Sequence, residues 1–594
     1  MKTLVSLAPV LLLSGLFVTT APVHGQFPLT SRPGDQSFRV ENVIIQARDG
    51  VHLHARIWMP TELQAEAPAI LTLTPYTSDD GQRFGQFYAS HGYVYVNADV
   101  RGRGESEGEF WPLERDGPDG SDIVRWIVRQ PWSDGQVGMR GGSYRGMTQW
   151  QTLKEHPEGL VTAVPTASVH PGWDYPSPSG IFLSYAARWL AFVEGKASQS
   201  NLFGDDDYWN GKYLEIYSEH RPFSELDDVT GLSPRVFERW IAHPWYDEFW
   251  QEMNPGQADY AAIDIPLLTI TGYFDGDQPG AMKYYRDHMA HGSDTGKARH
   301  YLIIGPWNHG GTRIPQAELG GLTFGENSVL DMEAVHLAWF DWTLRGGPRP
   351  DFLQDRVAYY VMGSEEWRFA PTLEGVSPGS RDWFLSSDGA VSDVFHSGTL
   401  SRSVPTSPGT DAFVYDPLEE PASPAAVASA TSSYAGSGLA FVPGPKAIYH
   451  SPPLEDSLTI SGYPTLELYL ELDVPDTDLL AGLYEVRRDG TTILLGQSEL
   501  RARHRNGVDR SELVTPGTVE MYSFDRFYYL SRTLREGSRI RLVVSPLDSP
   551  ERDKNYNSGG NTVEETGADA RKATIRIHHG ASYRSRLILP VGRM

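Results

Sequence analysis

Five short apolar runs, Ala69 to Thr74, Tyr93 to Ala98, Gln136 to Arg140, Pro266 to Thr271 and Tyr301 to Ile304, constrain this chain more than any other feature. Most are apolar almost throughout, as parallel strands covered on both faces must be; a half-exposed strand would alternate. Segments of helical period lie between them. Asp122 to Gln130 sets Ile123, Trp126 and Ile127 on one face. Ser328 to Arg345 repeats apolar residues at three- and four-residue spacing until Gly346-Gly347-Pro348 ends it. Strand and helix in alternation predict an α/β fold with right-handed crossovers. Upstream, Ser37 to Pro60 holds two alternating stretches around Arg48-Asp49-Gly50, which predicts a β-hairpin at the edge of that sheet.

From about Pro165 to Asp264 the strand signal fades and aromatics accumulate, among them Trp173, Tyr175, Trp189, Trp240 and Trp250. This predicts a mostly helical insertion, either a small domain with its own core or a cap whose aromatic face lines a substrate pocket, and the cap is the preferred reading. Beyond Pro350 short β-like runs such as Val357 to Met362, Leu466 to Leu472 and Ile540 to Val544 alternate with Gly, Pro, Ser and Asp, the texture of an all-β sandwich or jelly roll. Pro417 to Gly438, rich in Pro, Ala and Ser, reads as a long surface connection. The first 25 residues combine Lys2, an apolar run from Leu4 to Val18 and a small-residue exit, which predicts a cleaved secretory leader and a secreted or periplasmic protein. The expected division is therefore residues 1–25 leader, 26–164 first part of the α/β core, 165–264 cap, 265–349 second part of the core, and 350–594 β domain.

Composition narrows the chemistry. No cysteine is present, which excludes disulfides, thiolate metal sites and thiol nucleophiles, and leaves Ser or Thr for covalent catalysis. A formal charge of −25 argues against nucleic acid and anionic membranes as partners. No cofactor or metal is expected.

Gly141-Gly142-Ser143-Tyr144-Arg145-Gly146 follows the run at Gln136 to Arg140 and precedes a helical segment with Gln149, Trp150 and Leu153. A serine on such a strand-to-helix turn is held in a strained conformation with its hydroxyl above the sheet, next to a helix N-terminus that favours negative charge. The strict elbow pattern places glycine where Arg145 stands. A serine hydroxyl needs a base oriented by a carboxylate. Two loops supply them in the order Ser, Asp, His: Gly272-Tyr273-Phe274-Asp275-Gly276-Asp277 and Gly305-Pro306-Trp307-Asn308-His309, each leaving the C-terminal end of a predicted strand. Ser143, Asp275 and His309 are the candidate triad, with Asp277 the competitor for the orienting acid. His91, His156, His170, His288 and His291 suit packing or helix-end roles. Acyl transfer also needs oxyanion donors: the Tyr144 N–H is one, and Tyr76, in the loop after Ala69 to Thr74, can offer its hydroxyl.

These motifs resemble a known family. Pro75-Tyr76, then Asp99-Val100-Arg101-Gly102-Arg103-Gly104-Glu105-Ser106, then Gln130-Pro131-Trp132-Ser133-Asp134-Gly135 leading to Gly142-Ser143-Tyr144, are similar to the X-Pro dipeptidyl-peptidase and cocaine esterase group, which includes α-amino acid ester hydrolases and glutaryl-cephalosporin acylases. The similarity runs through both triad loops into the C-terminal β region. It implies a hydrolase core with a helical cap and a jelly-roll domain that helps close the site, Ser143, Asp275 and His309 as triad, and Tyr76 with the Tyr144 N–H as oxyanion hole. It also implies a carboxylate cluster for a substrate ammonium: Asp277 fits one position, Gln278 replaces a second acid, and Asp174, beside Trp173, is a third candidate. The expected substrate is a small ester or amide. The alternatives are Xaa-Pro peptides, or a silent core carrying a carbohydrate- or surface-binding β domain.

Overall fold

The computed structural model describes residues 30–31, 34–63, 65–77, 81–419, 435–436 and 444–593. The expected leader and most of the Pro417 to Gly438 connection lie outside the described residues. The first sheet is built from β1 (Phe38–Gln46), β2 (His52–Pro60), β3 (Ala67–Thr74), β4 (Val94–Asp99), β5 (Ser133–Ser143), β6 (Leu160–Ser168), β7 (Leu267–Phe274) and β8 (His300–Asn308). A separate ribbon pairs β9 (Glu318–Leu319) with β10 (Leu322–Thr323), and β11 (Val357–Val361) and β12 (Glu366–Ala370) complete the main sheet. Its order is β1-β2-β4-β3-β5-β6-β7-β8-β11-β12. All contacts from β4 through β11 in that order are parallel, while β1 with β2, β2 with β4, and β11 with β12 are antiparallel. The predicted hairpin is thus the sheet edge, and β3 and β4 are buried at every position.

Two elements differ from the sequence reading. β6 occupies a stretch where the strand signal was expected to end, because Pro165 breaks the pattern and cannot donate to a ladder. Burial between β5 and β7 outweighs that loss, and every β6 residue but Val161 is buried. Val357 to Met362 was expected to open the β domain; β11 instead pairs in parallel with β8, Val357 opposite Leu302. A buried apolar strand reads the same in either sheet, and only the open edge of β8 decides its place.

The sheet is covered on both faces. One apolar cluster runs from Trp58, Tyr95, Trp339 and Phe340 through β11 into Leu466, Leu468 and Ile575 of the β domain. The other runs from Leu71, Val96 and Trp150 into Trp189, Trp209 and Trp240 of the insertion, whose helices from Tyr185–Phe192 to Gln257–Ala262 lie between β6 and β7. The helix Met332–Arg345 stops where the sequence places its stop, with Gly346 left-handed at φ 66. The C-terminal domain is almost wholly antiparallel; Gly398–Ser401 with Ala447–His450 is a parallel pair.

A buried ion network welds that domain to the insertion. Arg501 pairs with Asp478 at 2.7 Å and Asp553 at 3.0 Å, and donates to the Gly180 carbonyl at 2.7 Å. Asp553 also accepts the Phe182 N–H at 2.6 Å. Among the described residues no helix is long and apolar enough to cross a membrane.

Candidate active site

The C-terminal ends of three strands converge. Ser143 ends β5 and caps the helix Tyr144–Lys154 with φ 65 and ψ −129, a region costly for any residue with a Cβ. The turn needs glycine on both sides of it. At Gly141 (φ 148) a Cβ would sit 2.5 Å from the Arg145 Cβ, and at Gly146 it would sit 2.8 Å from the Thr166 carbonyl of β6. The close approach that the strict elbow pattern gives to the residue at 145 is made here by Gly146. The Tyr144 N–H opens the helix and so has no intrahelical acceptor. Its side chain is anchored below, donating to Asp116 at 2.5 Å and accepting the Leu113 N–H at 3.0 Å.

Asp275 directly follows β7 and His309 directly follows β8. Asp275 is 0% exposed and takes three donors: His309 Nδ1 at 2.8 Å, the Asp277 N–H at 3.0 Å and the Thr271 hydroxyl at 3.3 Å. Of the two candidate orienting acids Asp275 makes the closer contact, since Asp277 Oδ2 lies 3.5 Å from the same nitrogen. Asp277 also accepts a long hydrogen bond from Ser143 Oγ at 3.5 Å. Burial works to lower the His309 pKa, but the charges of Asp277 and Asp275 and the Asp275 hydrogen bond raise it above the usual histidine value. Burial pushes the Asp277 carboxyl up to about 6, with Asp275 adding to the shift and His309 opposing it.

Asp275, Asp277 and His309 bring possible ligand atoms within 4.8 Å of one another, the spacing of a metal site among the described residues. A His309 Nδ1 that carries the proton it donates to Asp275 has no lone pair to offer a metal, so the cluster fits a proton relay better than a cation.

Tyr76 stands near Ser143, its hydroxyl accepting the Trp189 indole N–H at 3.3 Å. A residue that the sequence did not single out holds it there. Arg103, 0% exposed, donates to the carbonyls of Pro75 at 2.7 Å, Val193 at 2.6 Å and Gly195. It ties the Tyr76 loop to the end of the cap helix that carries Trp189. Nothing in its local pattern distinguishes it from Arg101, which pairs with Asp119 and Asp49.

Ser143 and His309 open into one cavity of about 420 Å³ walled by Trp173, Asp174, Tyr185 and Trp189 from the insertion and by Arg526 to Tyr528 from the β domain. None of the rival histidines lines it among the described residues. Asp174 is buried, its two oxygens accepting the N–H groups of His170 at 2.8 Å and Gly280 at 2.7 Å; burial, then the Asp277 charge, raise its pKa well above the carboxylate range. Gln278, which stands in the sequence where an acid was expected, bridges to the β domain instead. Its amide donates to the Tyr529 carbonyl at 2.9 Å and accepts the Tyr529 N–H at 2.7 Å. That pair draws the β-domain segment onto the cavity.

Comparison with known proteins agrees with this architecture. Residues 49–311 match the model of the X-Pro dipeptidyl-peptidase S15 family, and residues 353–588 match that of the X-Pro dipeptidyl-peptidase C-terminal non-catalytic domain. The chain is 26% identical to the cocaine esterase of Rhodococcus sp. (strain MB1 Bresler), covering 93% of this chain and 98% of that one. Among solved structures, an aminopeptidase from a marine sediment Thaumarchaeota archaeon superimposes with TM-score 0.79 at 23% identity, over 95% of this chain and 98% of its own. An α-amino acid ester hydrolase does so with TM-score 0.79 at 22% identity, over 96% and 100%. At those identities the two structures speak to the fold. The two matches together span most of the chain, an α/β-hydrolase-like region of the S15 family followed by that family's non-catalytic β domain, and the protein is a serine hydrolase of this kind.

Proposed function

We propose that the protein hydrolyses an ester or amide bond of a small acyl or aminoacyl compound through an acyl-enzyme on Ser143. The observation that carries this reading is the strained Ser143 at the end of β5, lining one cavity with His309, whose 2.8 Å contact with Asp275 joins the ends of β7 and β8 in the same sheet. His309 takes the Ser143 proton as Oγ attacks the carbonyl, while Asp275 holds Nδ1–H and stabilises the imidazolium. The Tyr76 hydroxyl and Tyr144 N–H donate to the oxyanion. His309 then protonates the leaving group and activates water for deacylation.

An aminoacyl substrate has specific support. Asp174 and Asp277 line the cavity, and burial raises the pKa of both carboxyls, a shift that a substrate ammonium beside them would oppose by favouring the ionised form. The same feature supports peptides with a free N-terminus, the second reading. Comparing phenylglycine methyl ester, a plain p-nitrophenyl acyl ester and Gly-Pro-p-nitroanilide separates the classes. Turnover of at least one ester, lost in Ser143→Ala with the fold intact, is expected; undiminished turnover in that variant overturns the reading, and a preference for Gly-Pro-p-nitroanilide moves it to the dipeptidyl-peptidase class. The leader pattern of residues 1–25 supports action outside the cytoplasm, which fractionation of the native host cell tests.

A further inference from the structure

One wall of the cavity runs against the charge of the whole molecule. The chain carries a formal charge of −25, yet Lys283, Arg286 and Arg526 all line the cavity around Ser143. Lys283 pairs with Asp287, and Arg286 lies over the ring of Tyr463, 5.1 Å from its centroid. The other cavity-lining arginine, Arg552, is neutralised by Glu499 at 2.8 Å.

Arg526 differs. Among the described residues it makes no ion pair and no hydrogen bond, and its contact is with an aromatic ring: the guanidinium carbon lies 3.9 Å from the centroid of Trp173. Lys283 Nζ lies 4.9 Å from the same centroid. A guanidinium held over a ring in this way keeps N–H groups for other partners, and its fork of donors suits a planar anion. The charges of Asp525, an exposed neighbour, and Asp174 act on Arg526 only through space. Burial lowers its pKa to about 10, so it stays cationic at neutral pH. A partly buried cation with unused donors is costly unless something enters to use them.

We propose that Arg526, set by Trp173 and supported by Lys283, recognises a carboxylate on the substrate, so that the preferred ester or amide carries an anionic group away from the scissile bond. This rests on the hydrolase reading above and adds a substrate class to it. It also gives the β domain a direct part in specificity, since Arg526 comes from the segment that Gln278 draws onto the cavity.

The test uses matched substrates on the full chain: p-nitrophenyl glutarate monoester against its neutral amide isostere, for a carboxylate in the acyl group, and 3-carboxyphenyl against 3-carbamoylphenyl butyrate, for one in the leaving group. In at least one pair the wild type favours the carboxylate in kcat/KM. Arg526→Gln lowers that ratio tenfold or more, chiefly through KM, and Arg526→Lys restores part of it. A wild-type ratio at or below one in both pairs overturns the proposal, as does a ratio that Arg526→Gln leaves unchanged. Calorimetric binding of glutarate to Ser143→Ala protein, with and without Arg526→Gln, tests the anion site apart from catalysis. Glutarate binding lost with Arg526→Gln supports the site even if no ester is turned over; an affinity that is undetectable or indifferent to Arg526→Gln counts against it.

Discussion

The proposed reaction centre and the cavity wall meet at the same opening but are assembled in different ways. The centre draws each working group from the last residue of a parallel strand or the one just after it: Ser143 from β5, Asp275 from β7, His309 from β8. Its geometry is set by sheet register and by two glycine contacts. The wall gathers Trp173 and Asp174 from the start of the insertion, Asp277 and Lys283 from the turn and helix after β7, and Arg526 from a different domain. It is kept in place by side chains in long-range contact: Arg103, Gln278, Arg501 and Asp553. The centre can therefore persist while the wall is altered, and the two should respond differently to substitution.

The largest expected effect lies in the centre. Ser143→Ala should lower kcat by about 10⁴-fold or more, as loss of a triad nucleophile does elsewhere. Ser143→Gly should be as inactive, yet raise the unfolding free energy by about 1 kcal/mol, because glycine adopts φ 65 without strain; denaturant titration reads that gain. Tyr76→Phe should cost about 10²-fold in kcat with KM little changed, the mark of a donor that acts on the transition state.

In the wall, Asp553→Ala leaves Arg501 buried beside Asp478 with one partner fewer and should destabilise the protein by about 3 kcal/mol. Its KM should rise more than its kcat falls, because Gly180 and Phe182 hold the insertion edge of the cavity.

The smallest effect is a shift in pH profile. His309 must be unprotonated to act as base, and its folded pKa is raised, so kcat/KM should fall on acidification at a pH above the usual histidine value of about 6.5. Asp277→Asn removes one of the charges that raise it, so the acid limb should move to lower pH; a limb that stays put would show that Asp277 does not set the His309 pKa.

The contrast between centre and wall also explains what the sequence disclosed. Strand ends are local, so Ser143, Asp275 and His309 could be placed from apolar runs and the loops that follow them. β6 was hidden by Pro165, and β11 by a composition that fits either sheet. Trp173 and Asp174 were visible as an aromatic and an acid, not as neighbours of Arg526, which lies more than 300 residues away in the chain. Arg103 and Gln278 act through backbone carbonyls and amides, which leave no pattern in side-chain type.

The most direct test of the reaction centre is mass spectrometry of the protein after treatment with a fluorophosphonate. A single adduct on the peptide containing Ser143 is predicted, absent in Ser143→Ala and formed about 10³-fold or more slowly in His309→Asn. No adduct on the folded protein, or one on another serine, would contradict a Ser143 nucleophile.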